Sequence, residues 1–505
     1  MTATLVTTVY GKLQGTEEEG VKVWRGIPFA APPVGKLRFR APQPPQPWDS
    51  VREALAFSPV SHQPVSTSST RFGGLSPEYS EDCLYLNVWS PAEAGESLPV
   101  MVWIHGGTFV TGAGSQPMFD GACMARNGKV VLVTVNYRLG PFGFLHLSPF
   151  GGDLASNAGL LDQIAALEWV QGNIAAFGGD PQRVTVFGES AGSMSIAALL
   201  AMPAASGLFA GAIMESGAAQ SLPPQQAQEI AAALLAELGL APGSGLELLD
   251  HLPAEQIMEA AARMTYKLSG EALSMFFQPV VEPATLPADP AEAVAGGAAR
   301  GIPLLIGTNL HEGNLFFREE RPGESFEQSL KSLELLMGID DLAELAGGYP
   351  KSWEGQAAFL TDLFFWGSSI AFAESQSAAA PVWMYRFDWT VEGHPLLEKA
   401  VHGAEILYVF GNLHLLKQYG LTVTPEMQRL SEVMQKTWTA FAHHGNPSLA
   451  NLEWPQYKTD SRATLIFDRE TRVVQDPDAD KRRRLFAAQA NWPKVFSAGA
   501  SDSRG

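Results

Sequence analysis

One stretch decides how this chain folds: Phe187-Gly188-Glu189-Ser190-Ala191-Gly192. The residues before it, from Arg183 to Phe187, are alternately apolar and β-branched and predict a short buried strand, whereas Gly192 to Met202 is rich in Ala and Leu and predicts a helix. The pattern G-x-S-x-G at a strand-to-helix turn is typical of a nucleophile elbow. Side chains two before and two after the serine would collide in so tight a turn, which explains both glycines. We therefore interpret Ser190 as the candidate nucleophile of a hydrolase.

The composition is that of a well-buried globular protein. Of the 505 residues, 46% are hydrophobic and 17% are charged, and this length suits either two or three domains or one large α/β domain with insertions. The formal net charge of −19, from 34 basic and 53 acidic residues, argues against a nucleic-acid or acidic-lipid partner.

The sequence also contains features that depend on the cellular compartment of the protein. The start, Met1 to Val6, lacks a basic segment followed by an apolar core, so we expect no secretory signal. No apolar run approaches the roughly 20 residues that span a bilayer. Cys83 and Cys123 are the only cysteines, and we expect two reduced thiols in a cytoplasmic protein rather than a disulfide.

Candidate strands alternate with candidate helices along most of the chain. The strands are predicted at 84–89, 100–104, 130–137, 183–187, 211–215, 303–307 and 382–387. This alternation predicts an α/β fold with a large, mostly parallel central sheet flanked by helices. The mainly helical segments 222–275 and 324–380 are interpreted as insertions that form a cap or regulatory region within a single domain, 1–505. Residues 66–74 and 497–505 are small and polar and are predicted to be mobile.

A glycine-containing loop follows the predicted strand at 100–104. It reads His105-Gly106-Gly107-Thr108-Phe109. Glycines directly after a buried strand usually mark a turn, but HGG-type sequences in α/β-hydrolases also aim backbone N–H groups at an oxyanion. The loop is therefore a candidate side of an oxyanion hole.

A serine nucleophile needs a base, and the base needs an acid that orients it. In α/β-hydrolases the order along the chain is serine, acid, histidine. His402 is favoured because it stands beside Gly403 between a predicted strand and an apolar helix, but His394, His414, His443 and His444 also come late enough. Glu312 follows a predicted strand in a glycine-bounded loop, although many other carboxylates lie between Ser190 and His402. Spacing alone leaves both roles open.

Several motifs together give the chain a family resemblance. They are the elbow with Phe177-Gly178-Gly179 before it, Arg25 to Pro33, Glu81 to Val88, Gly307-Thr308-Asn309 with Glu312-Gly313, and Val401 to Glu405. With these motifs, which span roughly residues 5–490, the chain resembles the type-B carboxylesterase/lipase family, which includes the cholinesterases. It looks most similar to the bacterial para-nitrobenzyl esterase-like branch.

The resemblance implies an α/β-hydrolase fold and a set of site residues. It makes Ser190 the nucleophile, Glu312 the acid and His402 the base, and it makes the N–H groups of Gly107, Thr108 and Ala191 the oxyanion donors. The family more often has Gly or Ala where Thr108 stands, so this side chain is expected to narrow the hole or to crowd bulky acyl groups.

Further residues are expected around this centre. Glu189 and Ser216 are candidates for buried support of the triad, with satisfaction of local backbone groups as an equal alternative. Phe277, Phe316 and Phe365 are candidate walls of an apolar substrate pocket, with core packing as the alternative for each.

The resemblance implies a serine carboxylesterase that hydrolyses small to medium hydrophobic or aromatic esters through an acyl-enzyme, with no metal or organic cofactor. The partner would be a small-molecule ester, with neither nucleic acid nor membrane involved, and the protein a monomer or a weak dimer. The alternatives are a catalytically silent cholinesterase-like binding protein, or a lipase, amidase or carbamate hydrolase with the same triad. Residues 71–74 lack the tryptophan that binds quaternary ammonium in cholinesterases, which argues against choline esters. The basic run at 481–484 is expected to be a solvated helix start rather than a site for an anionic partner.

Overall fold

The structure of the protein is a computed structural model. It describes residues 4–64, 77–151, 153–241, 245–270, 274–317, 325–337 and 342–489. The segments 66–74 and 497–505, which the sequence predicts to be mobile, lie outside the described residues.

The described residues form one mixed sheet of 13 strands. The strands are β1 (Thr4–Thr8), β2 (Gly11–Glu18), β3 (Val21–Pro28), β4 (Arg52–Glu53), β5 (Tyr85–Ser90), β6 (Leu98–Ile104), β7 (Val131–Val135), β8 (Gly179–Glu189), β9 (Gly211–Glu215), β10 (Leu304–Asn309), β11 (Val382–Phe387), β12 (Ala463–Phe467) and β13 (Arg472–Gln475). Their order is β1-β2-β3-β5-β7-β6-β8-β9-β10-β11-β12-β13, and β4 pairs with β2.

The centre of the sheet is parallel and both edges are antiparallel. The strands from β7 across to β12 pair in parallel. The pairs from β1 to β7 on one side, and β12 with β13 on the other, are antiparallel. The expected strands are present, and the sheet is an α/β sheet of the predicted kind with added antiparallel edges. Strands β12 and β13 were not predicted from the sequence.

Helices cover both faces of this sheet. They are α1 (Ala122–Gly128), α2 (Gly140–Phe144), α3 (Ala158–Asn173), α4 (Ala191–Ala201), α5 (Pro224–Glu237), α6 (Ala254–Ser269), α7 (Pro290–Ala295), α8 (Phe326–Met337), α9 (Ala343–Ala346), α10 (Trp353–Leu360), α11 (Ser368–Ser377), α12 (Ile406–Phe410), α13 (Pro425–His444) and α14 (Ala479–Gln489). A π-helix, Thr361–Gly367, joins α10 to α11. None of the helices among the described residues is long and apolar enough to cross a membrane.

The two faces of the sheet bury separate hydrophobic clusters. Along β6, Val100 and Val102 pack into one cluster, whereas Met101 and Trp103 pack into the other. This alternation follows from the two-residue period of a strand, and it occurs here on apolar residues throughout because both faces are covered. The rigid parallel centre carries its loops at the carboxyl ends of the strands, where ligands bind in α/β sheets.

Candidate active site

The elbow lies between β8 and α4, close to the predicted position. Ser190 follows the last residue of β8 and precedes the first residue of α4, with φ 55° and ψ −122°. A non-glycine residue at positive φ stores backbone strain, and such strain clusters at active sites. The Ser190 N–H donates to the carbonyl oxygen of Glu215 at 2.9 Å, which ties the elbow to the end of the neighbouring strand β9. The strained serine is thus held by the sheet.

The two elbow glycines are required mainly by contact with β6. A Cβ at Gly192 would lie 1.9 Å from the carbonyl oxygen of Ile104, and a Cβ at Gly188 would lie 2.5 Å from the same oxygen. The Gly188 Cβ would also lie 2.9 Å from the Gly192 carbonyl carbon. The predicted collision across the turn is therefore present, but the closer obstacle is the backbone of the adjacent strand.

The candidate acid and base come together behind the elbow. Glu312 follows β10, and His402 lies in the loop after β11. His402 Nδ1 is 2.6 Å from Glu312 Oε2, and the other Glu312 oxygen accepts the Asn309 N–H at 2.7 Å. Both carboxylate oxygens are satisfied although Glu312 is fully buried. This pairing fixes His402 with its proton on Nδ1, as a general base requires.

His402 turns its second nitrogen toward the elbow, where it faces Glu189. His402 Nε2 lies 3.1 Å from Glu189 Oε1, and no direct hydrogen bond joins the described residues Ser190 and His402. Hydrogen bonds between nucleophile and base commonly form or tighten only when substrate binds. Ser190 and His402 are 7% and 6% exposed, so the reaction would take place below the surface.

The site is surrounded by buried carboxyl groups whose pKa values are shifted. Burial raises the pKa of Glu189 to about 7 and that of Glu405 to about 8. Burial and the nearby Glu405 charge also hold the pKa of Glu215 well above its usual range. For His402, burial lowers the pKa, but the attraction of Glu189 and Glu312 outweighs it and raises the pKa to about 9. The cluster therefore favours a positively charged imidazole, which is the form that His402 takes when it accepts a proton.

Among the described residues, Ser216 is linked to the candidate acid by hydrogen bonds that run through Glu405 and Asn309. Its Oγ donates to Glu405 Oε1 at 3.3 Å, and Asn309 Nδ2 donates to Glu405 Oε2 at 2.5 Å. The same Asn309 donates its N–H to Glu312, so it joins this network to the acid. Sequence reasoning assigned no role to Asn309 or Glu405, although both lie in motifs that carry the family resemblance.

The loop after β6 lies against the elbow. A Cβ at Gly106 would be 3.0 Å from Ser190 Cβ and 2.7 Å from the Glu189 carbonyl oxygen. The Gly106 carbonyl oxygen is 2.8 Å from His105 Nδ1. In a trans peptide the N–H points away from the preceding C=O, so this contact turns the Gly107 N–H in the opposite direction.

The next peptide is oriented in the same way. The Gly107 carbonyl oxygen accepts the N–H groups of Val110 and Thr111 at 3.0 and 2.9 Å, and the Thr108 hydroxyl at 2.7 Å. The Thr108 N–H therefore points away from these donors. Neither the Gly107 nor the Thr108 N–H donates to any of the described residues. Ala191, at the start of α4, has no partner within its helix for its N–H either.

The Thr108 side chain folds back onto its own loop. Its hydroxyl is occupied by Gly107, and its backbone takes φ 53°, a left-handed value that is uncommon for a β-branched residue.

Two of the three candidate pocket phenylalanines pack on the candidate base His402. The Phe365 and Phe316 ring centroids lie 4.7 and 5.4 Å from that of His402, and the two phenylalanine rings stack at 6.2 Å. Phe277 is buried in the hydrophobic cluster on the same side of the sheet, without a ring contact to His402 among the described residues. Within the described part of the chain, no group of three or more His, Cys, Asp or Glu side chains is arranged to hold a metal ion.

Comparison with known proteins gives concordant matches. The model of the Carboxylesterase family matches residues 2–485. The para-nitrobenzyl esterase of Bacillus subtilis (strain 168) is 50% identical over 490 residues, which cover 97% of this chain and 100% of that protein. The phenmedipham hydrolase of Pseudarthrobacter oxydans is 34% identical over 493 residues, with 94% and 97% covered.

A solved structure agrees with these sequence matches. The solved structure of a thermophilic PNB esterase superimposes with a TM-score of 0.92 at 51% identity, over 96% of this chain and 100% of the other.

Proposed function

Because the chain belongs to the carboxylesterase family, we propose that Ser190, Glu312 and His402 form its catalytic triad. The chain is a carboxylic ester hydrolase and acts on small-molecule esters. The observation that carries the assignment of residues is the 2.6 Å hydrogen bond between His402 and Glu312, because the other nitrogen of the same His402 faces Glu189, the residue before the strained Ser190.

The proposed reaction is a two-step acyl transfer. Ser190 Oγ attacks the ester carbonyl carbon while His402 Nε2 takes the hydroxyl proton, and Glu312 stabilises the imidazolium that results. The tetrahedral intermediate collapses when the C–O bond to the alcohol breaks and His402 returns the proton to the departing oxygen. A water molecule, deprotonated by His402, then attacks the acyl-enzyme and releases the carboxylic acid together with Ser190.

The charge that develops on the carbonyl oxygen needs hydrogen-bond donors. We assign this role to the N–H groups of Gly107, Thr108 and Ala191. The N–H groups of Gly107 and Thr108 donate to none of the described residues and point away from carbonyl groups that are held by hydrogen bonds or short contacts. Ala191 is the first residue of helix α4, where backbone N–H groups have no partner within the helix. Removal of one such donor from an oxyanion hole typically costs about 10²–10³ in rate.

The substrate proposal is a small to medium hydrophobic or aromatic ester. Phe316 and Phe365 support it, because their rings cover His402 and would contact the ester at the reaction centre. We also propose that Glu189 supports the base, since it faces Nε2. Ser216 supports the triad through Glu405.

The experiment that tests this function compares two serine variants. We expect the purified protein to hydrolyse para-nitrophenyl butyrate and para-nitrobenzyl acetate, and Ser190→Ala to lose at least about 10³-fold in kcat. Ser195→Ala, in the helix α4 that follows Ser190, is the control and should remain active, because the Ser195 Oγ accepts a hydrogen bond from Gln163 and is not part of the proposed triad. Undiminished hydrolysis by Ser190→Ala would contradict the triad, and an inactive wild-type protein would indicate a silent binding protein.

We further propose a monomeric, cytoplasmic protein whose residues 1–505 form one domain, with the helical segments 222–275 and 324–380 as its cap. Cys83 and Cys123 are not joined in a disulfide, which supports the compartment, and the contact between Phe365 and His402 supports the cap. Size-exclusion chromatography with light scattering, over a hundredfold range of protein concentration, measures the molar mass and tests whether the protein is a monomer. A molar mass that falls on dilution would indicate a weak dimer.

A further inference from the structure

The basic run at 481–484 is only partly solvated, contrary to the expectation from the sequence. Lys481 Nζ lies 2.9 Å from Asp362 Oδ1, and its side chain is 30% exposed. Arg482 pairs with Asp476 at 2.8 Å and is largely buried. Arg483, 61% exposed, pairs with Asp480 in its own helix. Lys481 thus connects α14 to the interior, whereas Arg483 does not.

Lys481 holds the π-helix Thr361–Gly367 at two positions. Its partner Asp362 is nearly buried and accepts the Tyr349 hydroxyl on its other oxygen at 2.9 Å. The Lys481 ammonium also lies 4.6 Å from the ring centroid of Trp366, a cation–π distance. A π-helix is rare and frequently marks a functional position.

The same π-helix meets α14 at its end. A Cβ at Gly367 would lie 2.5 Å from Leu485 Cδ2, so the Leu485 side chain packs directly on this backbone. Both ends of the π-helix are therefore in contact with α14.

Between these contacts the π-helix carries Phe365 to the active site. The Phe365 ring packs on His402 and stacks with Phe316, as described above. Side chains in a densely packed interior move little unless the backbone that carries them moves. The segment that Lys481 holds is thus the segment that covers the candidate base.

We propose that Lys481 is a positioning residue for His402, and that it keeps Phe365 on the imidazole ring by holding Asp362 and Trp366. The proposal rests on the proposed function, in which His402 is the base. It assigns a catalytic consequence to a helix near the carboxyl end of the chain, far in sequence from the triad.

The consequence concerns water at the imidazole. The charged groups that face His402 are Glu312 at Nδ1, Glu189 at Nε2 and Glu405 behind them, and all three favour the imidazolium. Burial lowers the His402 pKa, but the combined attraction of these carboxylates outweighs burial and raises it to about 9. If Phe365 is released, water reaches the ring and weakens both effects, so the pKa falls back toward its ordinary value. His402 must be neutral to accept a proton, so the acidic limb of the kcat/KM profile would move to lower pH.

The test uses the whole 505-residue chain and para-nitrophenyl acetate, a substrate small enough to make few contacts with the pocket. We expect Lys481→Ala to lower kcat about tenfold, because small displacements of a reacting group carry costs of this size. Its acidic limb should move to lower pH. Lys481→Arg keeps the charge and the ring contact and should restore both properties. The matched control is Arg483→Ala, in the same helix, which should match the wild type.

A second variant separates positioning from folding. Phe365→Leu should move the acidic limb in the same direction, and the addition of Lys481→Ala to Phe365→Leu should move it no further. Titration of active sites with a fluorophosphonate gives the folded fraction, so that kcat refers to intact enzyme only. A lower melting temperature with an unmoved limb, or additive effects of the two substitutions, would overturn the proposal. Activity that survives in Ser190→Ala would overturn the triad instead, so the two failures are distinguishable.

Discussion

At the scale of single residues, His311 links the two loops that carry the proposed acid and the proposed base. Its N–H donates to the Ala400 carbonyl at 2.9 Å, and its Nδ1 accepts the Ala400 N–H at 3.3 Å. Burial, together with the positive charges of Lys399, Arg386 and Lys481, lowers the His311 pKa to about 4. The ring is therefore neutral near pH 7, and Nδ1 is free to accept. Glu312 is the next residue in the chain after His311, and His402 comes two residues after Ala400.

We predict that this link can be tested by exchanging its acceptor. His311→Asn retains an acceptor near the Nδ1 position and should keep kcat within about twofold of the wild type, whereas His311→Leu removes the acceptor and should lower kcat about tenfold. Steady-state kinetics with para-nitrophenyl butyrate at pH 7.5 measures both. Equal kcat values in the two variants would show that the reciprocal bonds do not position the triad.

Residue-scale prediction from sequence succeeds where a motif constrains the backbone. The pattern around Ser190 specifies a turn, and the structure has that turn. Spacing could not single out Glu312 and His402, because their 90-residue separation is closed by the sheet and not by local sequence. The role of Glu405 was missed for the same reason, since its partners Asn309 and Ser216 come from two other strand ends.

At the scale of elements, the packing of the elbow on β6 leaves no room for a methyl group. Gly192→Ala would place its Cβ 1.9 Å from the Ile104 carbonyl oxygen, which is backbone and cannot rotate away. We predict a loss of about 3 kcal/mol or more in the free energy of unfolding, because an overpacked site must displace the strand. Esterase activity should fall as well, since Ser190 is two residues away.

Gly172→Ala is the matched control for that substitution. Gly172 lies in α3, and a Cβ there would have no neighbour within 4 Å. Alanine in a helix is favoured over glycine by about 0.5–1 kcal/mol, so this variant should be as stable as the wild type or slightly more stable. Urea unfolding and the activity assay on both variants check the pair. Equal stability of the two would contradict the steric account.

Element prediction from sequence worked for buried parallel strands and failed for elements defined by their neighbours. The expected strands are present within a few residues of their predicted bounds. The run Ala463–Phe467 is apolar and partly β-branched, which is the pattern of a strand, but no strand is predicted there from the sequence. The π-helix Thr361–Gly367 has no sequence pattern of its own, because its register depends on packing against α14 and the active site.

At the scale of the whole molecule, the buried carboxyl cluster makes stability depend on pH. The Glu405 pKa is raised to about 8 by burial and by the charges of Glu189 and Glu312. A carboxyl group with a raised pKa binds its proton more tightly in the folded state than in the unfolded chain. Its contribution to stability is present below the unfolded pKa of about 4.5 and is lost as pH rises through about 8.

We therefore predict that Glu405→Gln becomes more stable relative to the wild type as pH rises from about 4.5 to about 8, with the gain complete above that range. The uncharged side chain can keep the Asn309 contact through its carbonyl oxygen, and the Ser216 hydroxyl can accept as well as donate. Urea unfolding of both proteins at pH 5, 7 and 9 measures the difference. A difference that does not change with pH would show that Glu405 is ionised in both states.

The contact of the elbow with Ile104 has a consequence for how such an enzyme diverges. Gly188 and Gly192 approach the main-chain oxygen of Ile104. The height of the nucleophile above the sheet is therefore determined by a contact between two backbone segments and not by side chains. Exchange of core side chains during evolution therefore leaves the serine where it is. The rings of Phe316 and Phe365 come from other segments of the chain. Substitutions at these two positions can therefore change the substrate specificity while the position of the nucleophile stays the same.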